Sequence, residues 1–229
     1  MDHLSFRIFR KRGRIMTRYE YGNPDSSNVL VQMVGEHEVA GLEKEIALIR
    51  QEAGDDFSFV GFPVKDWNKE LSPWIAEPVF GKDGFGDGAK DTLAAVLSEL
   101  KKDDRKYFLG GYSLAGLFAL WSGYQTDVFS GIAAASPSIW FPGFVDFMQK
   151  ESFQADTVYL SLGDREEKTK NAVMSKVGDN IRWAYEHFHN IGVKTVLEWN
   201  EGNHFKDADI RTAKAFAWLL QHEKGEKRC

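Results

Sequence analysis

The sequence predicts an α/β fold: a mostly parallel central sheet with an N-terminal antiparallel hairpin, helices on both faces and no large cap domain. Three observations carry this. Short runs dense in β-branched and aromatic residues, such as 28–34 (NVLVQMV), have no polar face and read as strands buried on both sides, as parallel strands are. These runs alternate along the chain with segments of helical period. One of them, 106–109, meets Gly110-Gly111 and passes into an apolar helical stretch within a few residues, a tight strand–turn–helix join.

The elements follow in order. Residues 4–9 and 14–21 alternate polar and apolar around Lys11-Arg12-Gly13 and read as a hairpin. Gly22-Asn23-Pro24-Asp25-Ser26 is a turn cluster before the strand at 28–34, which stops at Gly35. Apolar residues at 42, 46 and 49 make 39–52 a helix. The strand at 57–62 is expected to end at Pro63. Leu93, Val96, Leu97 and Leu100 share one face of a helix at 91–100. A strand at 106–109, a helix at 114–123, a small-residue strand at 131–135 and a short helix at 144–150 come next. A strand at 157–162 ends at Gly163, a long helix with some breaks covers 169–190, a strand covers 193–199, and an amphipathic helix at 207–222 closes the chain. Residues 223–229 read as a frayed charged tail. The long irregular stretch is 63–88; a segment of that length is usually functional, and Trp67, Trp74 and Phe80 should hold it against the body, where it would shape a pocket.

No repeat or linker divides the 229 residues, so they are expected to form a single domain, 1–229. The 29 basic and 34 acidic residues leave a net charge of −5, which argues against nucleic acid or an anionic membrane as partner. The basic cluster Arg7, Arg10, Lys11, Arg12, Arg14 and Arg18 reads as a solvated hairpin face. The one cysteine, Cys229, allows neither an intrachain disulfide nor a multi-cysteine zinc site, and fits a reducing cytoplasm. The first residues lack the apolar core of a signal peptide, and no apolar run approaches the 18 residues of a membrane span.

The most informative stretch is Leu109-Gly110-Gly111-Tyr112-Ser113-Leu114-Ala115-Gly116. A serine on a sharp turn between a strand and a helix is the context of a nucleophile elbow, whose neighbours must be small. The strict pattern G-x-S-x-G places glycine at 115, where this chain has alanine followed by Gly116. The bland alternative is a glycine-rich turn with Ser113 as helix cap. A nucleophilic serine in this context is followed along the chain by an acid and then a histidine. His187 and His189 fall late in a helix and His222 near the tail, whereas His204 follows the last strand. The acid should lie in the loop Gly163-Asp164-Arg165-Glu166-Glu167, with Glu166 first by spacing and Asp164 second, Glu167 competing. The backbone amide of Leu114 is one expected oxyanion donor. The other should come from the loop after the 28–34 strand, with Glu36 first and His37 second. Trp67, Trp140 and Tyr112 are candidate pocket walls.

Two other signals fade on inspection. Gly84-Phe85-Gly86-Asp87-Gly88-Ala89 fits a dinucleotide fingerprint, but no strong strand precedes it and Asp83 and Asp87 would repel phosphate; Asp87 reads better as a helix cap. His37-Glu38-Val39-Ala40-Gly41 begins like a zincin motif but lacks its second histidine.

The segments 111–119 (GYSLAGLFA), 134–140 (AASPSIW), 162–166 (LGDRE) and 202–204 (GNH) resemble the esterase group of the α/β-hydrolases that includes esterase D-like enzymes and siderophore esterases. They span most of the chain in the right order, and Ser-Pro-Ser-x-Trp is a feature of that group rather than of the superfamily. The resemblance implies an α/β-hydrolase fold and a serine hydrolase of carboxylic esters with no cofactor. It implies Ser113 as nucleophile, His204 as base and an acid in the 163–167 loop. The partner would be a small-molecule ester. Two departures are Ala115 in place of the motif glycine and a chain short enough to leave little room for a lid. Acyl transfer to an acceptor other than water, or a non-catalytic hydrolase-like binding protein, are the alternative functions.

Overall fold

The computed structural model describes residues 5–11, 14–101 and 103–223, with side chains from Arg18 to His222 apart from Lys102. The expected tail at 224–229, and the side chains of the basic cluster before Arg18, lie outside the described residues. Arg18 itself donates to Glu20 at 2.6 Å.

Eight strands form one sheet: β1 (Ser5–Lys11), β2 (Arg14–Gly22), β3 (Asn28–Gly35), β4 (Ser58–Val64), β5 (Lys106–Tyr112), β6 (Phe129–Ala135), β7 (Thr157–Gly163) and β8 (Lys194–Asn200). Their order is β1-β2-β4-β3-β5-β6-β7-β8. β2 is antiparallel to both neighbours, and every other pairing is parallel. The expected hairpin is therefore the antiparallel edge of a mostly parallel sheet.

β3 shows why its run has no polar face. Val29, Val31 and Met33 join one buried cluster, with helices α3 (Ala89–Glu99), α4 (Leu114–Ser122), α5 (Phe144–Lys150) and α6 (Val177–Asn190). Leu30 and Val34 join the other, with α1 (Leu42–Ala53) and α7 (Ala208–Glu223). Alternate side chains thus meet helices on opposite faces.

Several boundaries differ from expectation, and four of them bear on the sheet and the site. Pro63 lies inside β4, paired with Val34, because the ladder to β2 has already ended at Gly61 and a missing amide costs nothing on that side. β5 continues through both glycines to Tyr112, in register with β6 to Ala135. The helix expected from 169 begins at Val177: Asn171 Oδ1 accepts from the Val173 and Met174 amides at 3.0 and 3.1 Å and turns the chain first. α7 runs on to Glu223, the residue expected to start the tail.

The 63–88 stretch is not structureless. It holds a one-turn helix, α2 (Trp67–Glu70), whose cap Asp66 accepts from the Lys69 amide while Glu70 accepts from the Asp66 amide. Ala76 and Phe85 form a bridge, and Trp74 Nε1 donates to the Pro142 carbonyl at 2.9 Å. The cap of α3 is Gly88, with no side-chain cap from Asp87.

Candidate active site

Ser113 stands between β5 and α4 with φ 55° and ψ −117°. A non-glycine residue there is strained by about 1–3 kcal/mol, so its surroundings must hold it. They do so through the backbone: the Ser113 amide donates to Ala135 O at 3.1 Å, and the Ser138 amide donates to Ser113 O at 2.9 Å. The small neighbours are accounted for. A Cβ at position 111 would lie 2.6 Å from the Ala115 Cβ, so Gly111 is what allows Ala115 to stand where the strict motif has glycine.

Ser113 Oγ lies 2.9 Å from His204 Nε2, and His204 Nδ1 lies 2.6 Å from Glu166 Oε2. Serine, histidine and acid come from the ends of β5, β8 and β7, three parallel strands whose carboxyl ends open on one edge of the sheet. Burial pushes the Glu166 carboxyl up, but hydrogen bonds from His204, the Gly163 amide and Ser136 outweigh it and hold the group below its ordinary range. With Glu166 ionised, Nδ1 carries the proton it donates, and Nε2 is left to accept from Ser113.

The three candidate acids separate cleanly. Asp164 is not in this chain of bonds: its Oδ1 accepts from the Gly202 amide at 2.8 Å and ties the acid's loop to the histidine's loop. The backbone adds a second tie, Arg165 N to Gly202 O at 3.1 Å. Glu167 pairs with Arg182 at 3.0 Å, away from the histidine.

Three side chains with no role assigned from sequence complete the site. Arg211 on α7 is 1% exposed. Its Nη1 lies 2.9 Å from Glu166 Oε1, 3.0 Å from Tyr112 Oη and 3.1 Å from Ser136 Oγ, while Nη2 donates to the Glu201 and Asn203 carbonyls. Ser136 donates to Glu166 Oε1 at 2.8 Å, and Ser138 Oγ lies 3.2 Å from Ser113 Oγ. The Ser-Pro-Ser motif thus touches both the acid and the serine. The signal for Arg211 was present: it precedes Ala215 by one helical turn on the apolar face of α7, where an arginine needs a buried partner.

Tyr112 does not stand as a bare pocket wall. Its hydroxyl donates to the His204 carbonyl at 2.8 Å, and burial, with the Glu166 charge behind it, pushes the phenol up to about 12. Tyr112 and Trp67 both line a cavity of about 640 Å³ that opens onto Ser113 and His204. Trp140 does not line that cavity; it is 7% exposed and packs edge-on against the buried Phe85 and the half-exposed Phe80. The Leu114 amide opens the first turn of α4 beside Ser113, where helix amides have no intrahelical acceptor. His37 borders the cavity, edge-on to Trp67 at 5.4 Å; Glu36 borders the neighbouring one with Tyr19 and Lys65. Among the described residues, no group of three metal-ligating side chains is placed to hold a metal ion, and no helix is long and apolar enough to cross a membrane.

No protein-family model and no curated protein matches the sequence. Solved structures do match the fold. The chain is similar to siderophore hydrolase EstA from Aspergillus nidulans, at 18% identity over 96% of this chain and 94% of that one, with a TM-score of 0.69. An IroE-like serine hydrolase from Shewanella oneidensis matches at 16% identity, 96% and 80% coverage and a TM-score of 0.74. FphF, a fluorophosphonate-binding serine hydrolase of Staphylococcus aureus, matches at 13% identity, 96% and 98% coverage and a TM-score of 0.64. The fold is that of the α/β-hydrolases.

Proposed function

We propose that this protein is a serine esterase that cleaves a small-molecule carboxylic ester through an acyl-enzyme. One observation carries the reading: the unbroken hydrogen-bonded path from Ser113 Oγ through His204 to Glu166, at 2.9 and 2.6 Å. In this reading Ser113 Oγ attacks the ester carbonyl carbon as its proton passes to His204 Nε2. Glu166, held by Arg211 and Ser136 on its other oxygen, orients the ring and stabilises the imidazolium. The Leu114 amide, with an amide from Glu36 or His37, receives the developing oxyanion. His204 then returns the proton to the departing alkoxide, leaving the acyl group on Ser113. Water, deprotonated by the same nitrogen, releases the acid and restores the serine. The names of the similar structures, siderophore hydrolase and serine hydrolase, support ester chemistry at such a site.

The test is labelling by a fluorophosphonate together with p-nitrophenyl acetate turnover. Both should be present in the wild type and absent in Ser113→Ala. Turnover and labelling that survive in Ser113→Ala would overturn the assignment.

A further inference from the structure

The cavity above Ser113 and His204 is one-sided in charge. Glu38, Glu45, Asp207 and Asp209 line it, and among the described residues no lysine or arginine does. Two of these carboxylates have partners. Asp209 pairs with Lys44 at 2.6 Å, and Glu38 accepts from the Gly35 amide at 2.8 Å. Glu45 differs. It is 4% exposed, its Oε2 has a long contact of 3.5 Å from Gln32 Nε2, and its Oε1 has no hydrogen-bond partner. Gln32, buried beside it on β3, leaves its own Oε1 without a partner as well. Glu45 Oε1 and Gln32 Oε1 are thus both buried without a hydrogen-bond partner, and among the described residues no cationic side chain pairs with the carboxyl. Leaving buried polar groups unpaired is costly, so such a site calls for a partner. A helix position facing a core is otherwise filled by an apolar residue, as Leu42, Ile46 and Ile49 are on the same helix.

We propose that Glu45, with Glu38 beside it, forms a subsite for a primary ammonium group carried by the ester. This deepens the esterase reading and rests on it for the chemistry. A primary ammonium brings the positive charge and the three N–H donors that Glu45 and Gln32 lack; a quaternary ammonium brings charge without donors. Trp67 and Phe205 line the same cavity, Phe205 being 89% exposed, and their aromatic faces suit a methylene chain leading to the charge. The acids are not grouped as metal ligands among the described residues. Burial, then the charges of Glu38 and Asp209, push the Glu45 carboxyl well above its ordinary range, so a cation beside it would favour its ionised form.

The experiment compares matched esters. On the acyl side the pair is p-nitrophenyl 6-aminohexanoate and p-nitrophenyl heptanoate; on the alcohol side it is 5-aminopentyl acetate and hexyl acetate. In at least one pair the ammonium member should show a kcat/KM about tenfold higher, as expected of one close charge pair. That ratio should fall towards one in Glu45→Gln and in Glu38→Gln. The pair that responds tells which side of the ester carries the charge, and trimethylammonium analogues should lose most of the advantage. Ratios at or below one in both pairs, with p-nitrophenyl acetate turned over normally, would overturn the subsite while leaving the esterase reading intact. Absence of turnover and of fluorophosphonate labelling would instead remove the esterase reading. Calorimetry of 5-aminopentanol against hexanol with Ser113→Ala then decides the subsite alone: binding of the amine that Glu45→Gln weakens supports it, and no preference for the amine overturns it.

Discussion

Arg211 Nη1 lies 2.9 Å from Glu166 Oε1, the oxygen that His204 does not use. The acid is therefore held on both sides, by an imidazole at the cavity and by a guanidinium in the core.

This pairing predicts a compound defect in Arg211→Met. Removing one partner of a buried pair strands the other, at about 3–5 kcal/mol. Urea melts should show a loss of that size, and kcat for p-nitrophenyl acetate should fall with KM nearly unchanged, because Arg211 touches no substrate. Wild-type kcat in a folded Arg211→Met would refute its positioning role.

The acid assignment predicts an unequal pair of variants. Glu166→Gln should lower kcat by about 10³–10⁴, since an amide neither fixes the tautomer nor balances the imidazolium. Asp164→Ala should cost about 1 kcal/mol of stability through the lost Gly202 bond and only a modest part of kcat. A larger kcat loss in Asp164→Ala than in Glu166→Gln would reverse the assignment.

The elbow predicts tolerance at one position. Ala115→Gly restores the strict motif and removes a buried methyl, so it should destabilise by about 1 kcal/mol from helix propensity alone. The rate of fluorophosphonate labelling should stay within about threefold of wild type, because the Ser113 bonds to Ala135 and Ser138 are untouched.

Glu38 gives a pH dependence with a definite sign. Burial raises its carboxyl from 4.5 to about 7 in the folded protein, against the hydrogen bond from Gly35 that lowers it. The native state thus holds a proton that the unfolded chain has lost between those values. Its stabilising contribution is complete below pH 4.5 and is lost as pH rises through 7. Relative to Glu38→Gln, which does not titrate, the wild type should lose about 3 kcal/mol between pH 4 and pH 8 in urea melts. A constant difference between the two proteins over that range would contradict it.

Much of this was legible in the sequence, for identifiable reasons. β3 and β5 are buried on both faces and so read as unbroken apolar runs, and Ser113 and His204 follow strands whose ends are marked by glycines or turn residues. The start of α6 was misjudged because the Asn171 turn interrupts an otherwise helical composition. The choice of Glu166 over Asp164 was open because both carboxyls sit in one short loop, and only three-dimensional placement separates a bond to His204 from a bond to Gly202. Trp140 follows the strand beside the elbow, and the sequence could not show that it packs edge-on to Phe80 and Phe85 rather than lining the cavity at Ser113. The acidic lining of the cavity was illegible because Glu38 and Glu45 stand in no complete motif, and their nearness to Ser113 arises only when α1 packs beside α7.

The loop that carries His204 is fastened by its main chain. Tyr112 donates to the His204 carbonyl, and Arg211 donates to the Glu201 and Asn203 carbonyls just before it. The anchor of that loop is thus a side chain of the last helix, buried against β5 and β6. The closing helix and His204 should therefore belong to one cooperative unfolding unit: in hydrogen exchange, the amides of the 201–204 loop that are protected and those in the middle of α7 should open together, rather than the loop fraying by itself.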